Sequence, residues 1–259
     1  MIYPTRTYKK YTYVDEGQGE PLILLYGLFG TPKNFGYVVD YFKHSYRVII
    51  PVLPVFELDC TISVNALTDY VHKFIRDLQL GQVYLLGNSL GGHVALVYTL
   101  RHPENVSSLI LSGSSGLFEN GMGDTYPKRS DYGYIKKRVE EIFYNPSIAN
   151  KDLVDEVFAT VNDRIKAFKI LLLAKSTIKH NLKKELPKIN VDTCLIWGTK
   201  DTVTPPAVAE EFNKLIPNSQ LYWIEECGHV PMLEEPELFN NILSQFLLTQ
   251  KEQKVYDVA

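Results

Sequence analysis

The chain has 259 residues, 45% of them hydrophobic and 22% charged, a composition typical of one large globular domain with a substantial apolar core. Its formal net charge of −3 argues against a nucleic-acid partner, and no window approaches the length of a membrane span. Cys60, Cys194 and Cys227 are odd in number and widely spaced, which indicates neither a disulfide framework nor a zinc site, so we expect a cytoplasmic protein without a metal.

Short apolar runs predict the strands of the core. Residues 7–14 alternate in polarity like a strand, and residues 15–19 form a turn. Continuous apolar runs are typical of strands buried on both faces of a parallel sheet. Such runs occur at 21–26, 47–52, 83–88 and 106–112, and strand patterns resume at 191–198 and 220–224.

Helical spacing of apolar residues separates these runs. One helix is predicted behind a Ser63 cap, and it carries Leu67, Val71, Phe74 and Leu78. A closing helix at 236–248 places Leu238, Ile242 and Phe246 on one face, and the tail from 249 is expected to fray. Strands that alternate with helices predict an α/β fold with a mostly parallel sheet, in which ligands bind at the carboxyl ends of the strands.

The strand signal stops at Leu117 and helical spacings replace it. We therefore predict a helical cap insertion at 117–186, set over the strand ends between core segments 1–116 and 187–259. Residues 117–190 carry 14 Lys or Arg and 10 Asp or Glu, which leaves 13 and 20 of the chain's 27 and 30 for the rest. This positive charge indicates solvated helix faces or a preference for an anionic substrate.

Ser89 is the candidate nucleophile. The apolar run at 83–88 ends in the sequence GNSLGG around Ser89, and a helical pattern follows. A strand that turns directly into a helix places the serine on a strained corner, with Gly87 and Gly91 allowing the backbone segments to approach. The helix N-terminus then directs free N–H groups at an anion formed on that serine.

Two further residues complete a catalytic constellation. Asp201 ends the sequence WGTKD after the fifth buried run, and His229 lies in GHVP after the sixth. Ser89, Asp201 and His229 thus occur in the order nucleophile, acid, histidine, each just beyond a strand. In this arrangement His229 takes the proton of Ser89, and Asp201 orients the histidine and stabilises its charged form.

These motifs, together with YGLFG at 26–30, resemble the α/β-hydrolase superfamily, in its compact form with a helical cap, over essentially the whole chain. The resemblance implies a mostly parallel central sheet of about eight strands flanked by helices, a serine triad, an acyl-enzyme intermediate and no cofactor. It also implies an oxyanion hole made by the backbone N–H groups of Leu28 and Leu90. The serine at the turn between strand and helix argues against the haloalkane dehalogenase and epoxide hydrolase branches, which use an aspartate nucleophile.

The chain departs from the family pattern at two places. Tyr26 stands where the family usually has a histidine that braces the oxyanion loop, and the loop at 52–57 replaces the familiar Asp-x-Pro-Gly-x-Gly. By position, Phe29, Asn88 and Leu117 are expected to line the substrate pocket. His93 and His102 are interpreted as structural residues of the helix that follows Ser89.

The favoured function is a serine hydrolase that cleaves a small carboxylic ester or a related acyl compound, as a monomer or homodimer without nucleic-acid partners. One alternative is a carbon–carbon bond hydrolase of the ring-fission-product type, suggested by small-residue loops at 113–116 and 121–123. Another is an α/β-hydrolase scaffold that binds a ligand without turning it over, an alternative that Tyr26 keeps open.

Overall fold

The computed structural model describes residues 3–58, 62–119 and 128–257, with side chains through residue 252. Cys60 and the small-residue loop at 121–123 lie outside the described residues. Within them the strands form an eight-stranded sheet in the order β1-β2-β4-β3-β5-β6-β7-β8. The strands are β1 (Thr5–Tyr8), β2 (Tyr11–Glu16), β3 (Pro21–Leu25), β4 (Arg47–Pro51), β5 (Val83–Asn88), β6 (Val106–Ser112), β7 (Thr193–Gly198) and β8 (Ser219–Ile224).

Helices flank this sheet, which confirms the predicted fold class. The α-helices are α1 (Gly36–Phe42), α2 (Val64–Asp77), α3 (Leu90–Arg101), α4 (Tyr132–Glu140), α5 (Lys151–Asn162), α6 (Arg164–Lys179), α7 (Pro206–Leu215), α8 (Pro231–Glu234) and α9 (Pro236–Asp257). Helix α3 packs against β5, β6 and α2, whereas α9 packs against β7, β8, α1 and α8. None of the described helices combines the length and apolar character that a membrane span requires.

The strands β3 to β8 pair in parallel, and the apolar runs that predicted β3 to β7 are buried over most of their length. In β8, at the edge of the sheet, only Ile224 is buried. All six residues of β5 and all six of β7 are buried. Because parallel strands share one direction, the segments that follow β3, β5, β6, β7 and β8 come together at one edge of the sheet. This edge carries the candidate site.

The N-terminal strand differs from its prediction. The pattern at 7–14 belongs to a hairpin in which β1 and β2 are antiparallel and Tyr8 pairs with Tyr11. The tight turn passes through Lys9, at a φ of 52°, and contains neither glycine nor proline. Alternation with a period of two continues across such a turn, so the sequence pattern conceals it. Residues 15 and 16, predicted as turn, extend β2 and pair with β4.

The predicted α2 is confirmed at its start and on its apolar face. The Ser63 hydroxyl accepts a hydrogen bond from the Ala66 amide at 3.1 Å, and Leu67, Val71 and Phe74 are buried. A serine at this position satisfies one of the free N–H groups of the first turn, which favours the helix start seen here.

The face predicted for α9 is wrong in part. Leu238 is 44% exposed, whereas Phe239, Leu243, Phe246 and Leu247 are buried. Apolar residues occur in adjacent pairs along this helix, so two helical faces fit the spacing equally well. Contact with the sheet selects one of them. The helix also continues past residue 249, where fraying was expected.

Helices α4, α5 and α6, here called the inserted helices, lie between β6 and β7, and the described residues of that interval contain no strand. Their spacing was predicted, but the exposure of Ile165 and Phe168 on α6 was not. The division into core segments 1–116 and 187–259 and a cap at 117–186 stays a prediction.

Candidate active site

Ser89 lies on a strained turn between β5 and α3. Its φ of 54° and ψ of −121° are rare for a residue with a side chain. Three backbone hydrogen bonds hold this conformation: the Ser89 amide donates to Ser112 O at 3.2 Å, and its carbonyl accepts from the His93 and Ser115 amides at 3.1 and 3.2 Å. Ser89 is half-buried, so its side chain is held at the surface of the cavity described below.

Close backbone contacts explain the two glycines that flank Ser89. A Cβ atom on Gly91 would lie 2.0 Å from the Leu25 carbonyl oxygen, and one on Gly87 would lie 2.4 Å from the Gly91 carbonyl oxygen. Real Cβ atoms do not approach oxygen so closely, so the strand and the helix can meet here only without side chains. The expected role of these glycines is thereby confirmed.

Asp201 is a buried carboxylate with four hydrogen bonds. Its Oδ1 atom accepts from the Val203 and Thr204 amides at 2.8 and 2.9 Å. Its Oδ2 atom accepts from the Thr204 hydroxyl at 2.8 Å and lies 2.9 Å from His229 Nδ1. Four partners satisfy the carboxylate and fix its orientation toward the histidine.

His229 is buried and is held from two sides. Its amide donates to Ile142 O at 2.9 Å, and its carbonyl accepts from Asn88 Nδ2 at 3.1 Å. Because Nδ1 faces Asp201, Nε2 lies on the opposite side of the ring. His229 and Ser89 line the same cavity.

Asn88 connects three segments of the site edge. It lines the cavity as predicted, but its amide nitrogen donates to the carbonyl oxygens of Ser112 and His229. These bonds join the ends of β5 and β6 to the histidine loop. The Asn88 side-chain amide, which sequence position placed at the substrate pocket, therefore donates within the protein.

The loop after β3 lies against Ser89. A Cβ atom on Gly27 would be 3.0 Å from Ser89 Cβ, and the Gly30 amide closes a turn on Gly27 O at 3.0 Å. Leu28 and the exposed Phe29, at a φ of 58°, line the cavity, as does Leu90 at the start of α3. Both amides assigned to the oxyanion hole thus belong to segments that border Ser89.

The two departures from the family pattern contact each other. The buried Tyr26 hydroxyl accepts a hydrogen bond from the Leu53 amide at 2.9 Å. Burial raises the pKa of Tyr26, so the hydroxyl stays neutral. Tyr26 therefore joins the segment after β3 to the loop at 52–57, and its ring packs beside Gly30.

The cavity above Ser89 has a volume of about 1130 Å³. Its far wall comes from the inserted helices and the segment after α4, and most of those side chains are apolar. They include Ile135, Val139, Ile142, Phe143, Leu153, Val157, Val161, Ile170, Leu171, Leu173, Ala174 and Ile178. Leu117, which was predicted to line the pocket, is not part of this wall: it packs against the core, and Glu119 lines the cavity instead.

Sequence reasoning missed Thr204 and Glu234. Thr204 bridges the pair, since its hydroxyl donates to Asp201 and lies 3.4 Å from His229 Nδ1. Glu234 accepts from the Gly228 amide at 3.0 Å and from the Tyr144 amide at 2.7 Å, and burial raises its pKa. Thr204 lies three residues after Asp201, a spacing at which a threonine hydroxyl reaches back to an aspartate in a turn.

The described histidine and cysteine residues that are not assigned to the triad do not line the cavity. His93 is fully buried and stacks on His180 with ring centroids 5.2 Å apart, which agrees with a structural role. Burial raises the pKa of the Cys194 and Cys227 thiols, so both stay protonated. In the part of the chain that the structure describes, no group of three or more His, Cys, Asp or Glu residues is placed to hold a metal ion.

Comparison with known proteins identifies the family. Residues 22–242 match the model of the alpha/beta hydrolase family. The chain belongs to this family. A crystal structure of an alpha/beta hydrolase enzyme from the sediment metagenome of the Mar Chica lagoon, Morocco, is 40% identical, with a TM-score of 0.81 over 96% of this chain and 99% of that one.

Two curated relatives of this α/β hydrolase carry different names. Lipase 3 of Moraxella sp. is 27% identical over 86% of this chain and 76% of its own length. The 2-hydroxy-6-oxononadienedioate/2-hydroxy-6-oxononatrienedioate hydrolase 1 of Pseudomonas putida is 28% identical over 91% and 90%. Both names describe hydrolases, which supports hydrolysis as the reaction class. The two names differ in the class of substrate.

Proposed function

We propose that this α/β hydrolase is a serine hydrolase that cleaves a carboxylic ester through an acyl-enzyme, with Ser89, Asp201 and His229 as its triad. One observation carries the proposal. A strained serine at the start of α3 shares a cavity with His229, whose Nδ1 atom is 2.9 Å from a buried aspartate. A structural aspartate and histidine would have no need of a serine held at such a costly backbone angle.

Each residue has one role in the proposed reaction. The Ser89 hydroxyl attacks the acyl carbon and gives its proton to His229 Nε2, while Asp201 stabilises the imidazolium. The amides of Leu28 and Leu90 bind the oxyanion. His229 then protonates the leaving alkoxide. Water activated by the same nitrogen attacks the acyl-enzyme, releases the acid and restores Ser89.

The cavity wall supports an ester with a large apolar group. A volume of about 1130 Å³ exceeds the need of a small ester, and the side chains of the inserted helices that line it are mostly apolar. In this proposal residues 117–186 form a cap whose inner surface contacts the acyl or alcohol chain.

A carbon–carbon bond hydrolase is the second candidate. It is favoured by the cations that line the same cavity, Arg129, Arg138 and Lys200, since a dicarboxylate substrate would need such partners. Arg138 already pairs with Glu141 at 2.6 Å. Steady-state rates on p-nitrophenyl esters of rising chain length and on a ring-fission dienone separate the two: we expect the highest kcat/KM on a medium or long ester.

The test of the triad is covalent labelling. The purified protein is treated with a fluorophosphonate and its intact mass is recorded, with Ser89→Ala and the exposed-site control Ser45→Ala alongside. We expect one adduct on the wild type and on Ser45→Ala, none on Ser89→Ala, and a fall in ester turnover of about 10⁴-fold or more for Ser89→Ala. An adduct on Ser89→Ala, or retained turnover, would refute the assignment. No adduct on the folded wild type would support a ligand-binding scaffold instead.

A further inference from the structure

One face of α6 is exposed and has an unusual composition. Within this helix the exposed residues are Arg164, Ile165, Phe168, Leu171, Lys175, Ile178 and Lys179. Four are apolar, three are cationic and none is acidic. The apolar members are far from buried: Ile165 is 69% exposed and Ile178 is 63% exposed. Isolated exposed apolar residues are common on proteins, but an aligned set is not.

These seven residues lie on one side of the helix. At 3.6 residues per turn they occupy an arc of about 140° in which the cationic side chains lie between apolar ones. The opposite side faces the protein and carries the buried Leu173 and Thr177. The helix therefore has one face that packs on the protein and one face, here called the outer face, that the described residues leave uncovered.

The charge of α6 is entirely positive. Its sixteen residues include five Lys or Arg and no Asp or Glu. Lys169 donates to the Phe56 carbonyl, and Lys166 lies 5.4 Å from the centroid of the Phe56 ring. The three cations of the outer face, in contrast, form no ion pair within the described residues, so their charge is available to an external partner.

The outer face is continuous with the cavity. Leu171 and Ile178 are exposed to solvent and also line the cavity that leads to Ser89. Phe29, 38% exposed, lines it as well. Apolar surface thus runs from the outer face into the candidate active site.

We infer that the outer face of α6 docks on an anionic lipid bilayer. The apolar side chains would enter the boundary between headgroups and acyl chains, while Arg164, Lys175 and Lys179 extend toward lipid phosphates. The positive charge favours an anionic bilayer over a second copy of the chain. A second copy carries the same three cations, so pairing of the two outer faces would place like charges opposite one another. The inference that the protein docks on a membrane depends only on the features of α6. Its consequence, that the substrate is a lipid ester presented at the membrane surface, rests on the proposed function.

The test measures flotation with vesicles and uses Ser89→Ala protein, so that no lipid is hydrolysed. One vesicle is pure phosphatidylcholine, and the other is an equimolar mixture of phosphatidylcholine and phosphatidylglycerol. The charge variant is R164Q/K175Q/K179Q, and its matched control, K73Q/K188Q/K214Q, removes three exposed cations from other elements. The apolar variant is I165Q/F168Q. None of these residues lines the cavity.

We expect flotation with the anionic vesicles, weakened by added salt. The charge variant should partition about 100-fold more weakly, at about fivefold per cation, and the apolar variant should also lose binding, whereas the control triple should lose far less. All three, made in the wild-type background, should retain hydrolysis of a water-soluble ester.

Three results would overturn the inference. The first is that the folded protein does not float with anionic vesicles. The second is that the charge variant and its control lose vesicle binding equally. The third is that sedimentation velocity shows a solution dimer, and that the substitutions I165Q/F168Q dissociate it. The last result would assign the outer face to a second copy. Flotation needs no turnover, so failure of docking and failure of the serine hydrolase proposal are separate outcomes.

Discussion

Thr204 links the two buried members of the candidate triad. Its hydroxyl donates to Asp201 Oδ2, the same oxygen that faces His229, and its own backbone is held because the Trp197 indole donates to Thr204 O at 2.9 Å. Two backbone amides fix the other carboxylate oxygen. Thr204 is thus a positioning residue: it sets the angle at which the carboxylate meets the imidazole.

Replacing Thr204 with valine removes this hydroxyl and keeps the volume. We expect kcat on a soluble ester to fall about tenfold, because a buried carboxylate loses one hydrogen bond and its orientation loosens. KM should change little, since Thr204 does not line the cavity. Thr199→Val, which removes the hydroxyl that bonds the exposed Glu225, is the control. Equal kcat losses in both variants would contradict the assigned role.

At the scale of elements, the unit formed by β5, Ser89 and α3 depends on how closely α3 approaches β3. The Leu25 carbonyl occupies the space where a side chain on residue 91 would stand. Helix α3 is also buried along most of its length, with ten of its twelve residues inaccessible. The strained turn at Ser89 therefore cannot relax by an outward movement of α3, because that movement would open the core.

Gly91→Ala should consequently be severe. A Cβ atom 2.0 Å from Leu25 O forces the helix away from the strand, and we expect a loss of about 4 kcal/mol or more in the free energy of unfolding, or failure to fold. Gly133→Ala in α4 is the comparison, because its Cβ would meet only Asp131 Oδ1 at 3.4 Å. That change should leave stability unchanged or raise it by up to about 1 kcal/mol. Urea unfolding of both variants measures the difference, and a mild Gly91→Ala would show that the contact is relieved by other movements.

At the scale of the whole molecule, two of the junctions between the inserted helices and the core bear on the candidate site and on stability. The segment after α4 accepts hydrogen bonds from the Thr202 hydroxyl at Glu141 O and from the His229 amide at Ile142 O, both at 2.9 Å. On the other side, His93 of α3 stacks on His180 at the end of α6, with ring planes 9° apart. The first junction holds the loops of Asp201 and His229, and the second is sensitive to pH.

Burial, together with the neighbouring His180, lowers the pKa of His93 from 6.5 to about 3. The folded protein therefore keeps His93 neutral, whereas the unfolded chain takes up a proton below pH 6.5. The contribution of His93 to the free energy of unfolding is therefore fully present above pH 6.5 and is lost as the pH falls toward the pKa of the folded state. Between pH 6 and pH 4 the free energy of unfolding of the wild type should decline more steeply than that of His93→Gln, by about 1.4 kcal/mol per pH unit.

Chemical denaturation at several pH values measures the two slopes, with the exposed-site variant His44→Gln as the control. The comparison of slopes separates protonation from any constant loss of packing in His93→Gln. Parallel slopes for the wild type and His93→Gln would show that His93 accepts a proton in the folded state.

Sequence alone predicted strands β3 to β8, helix α2, the fold class and the three candidate triad positions. It could do so because these depend on local signals: apolar runs, helix spacing, and glycines around a serine at a strand end. The family match and the sheet confirm that fold. The same local signals failed where two arrangements share one pattern, as in the turn at Lys9 and the paired apolar residues of α9.

Tertiary structure alone decided which groups meet across long separations in the chain. It placed Thr204 beside His229 and Glu234 beside the Tyr144 amide, joined Tyr26 to Leu53, and engaged the Asn88 amide with His229 O. It also left Ile165, Phe168, Leu171 and Ile178 of α6 uncovered, although the apolar spacing of this helix is that of a helix packed on a core. Burial depends on what the rest of the chain places against a face, and a pattern within one helix contains no record of that neighbour.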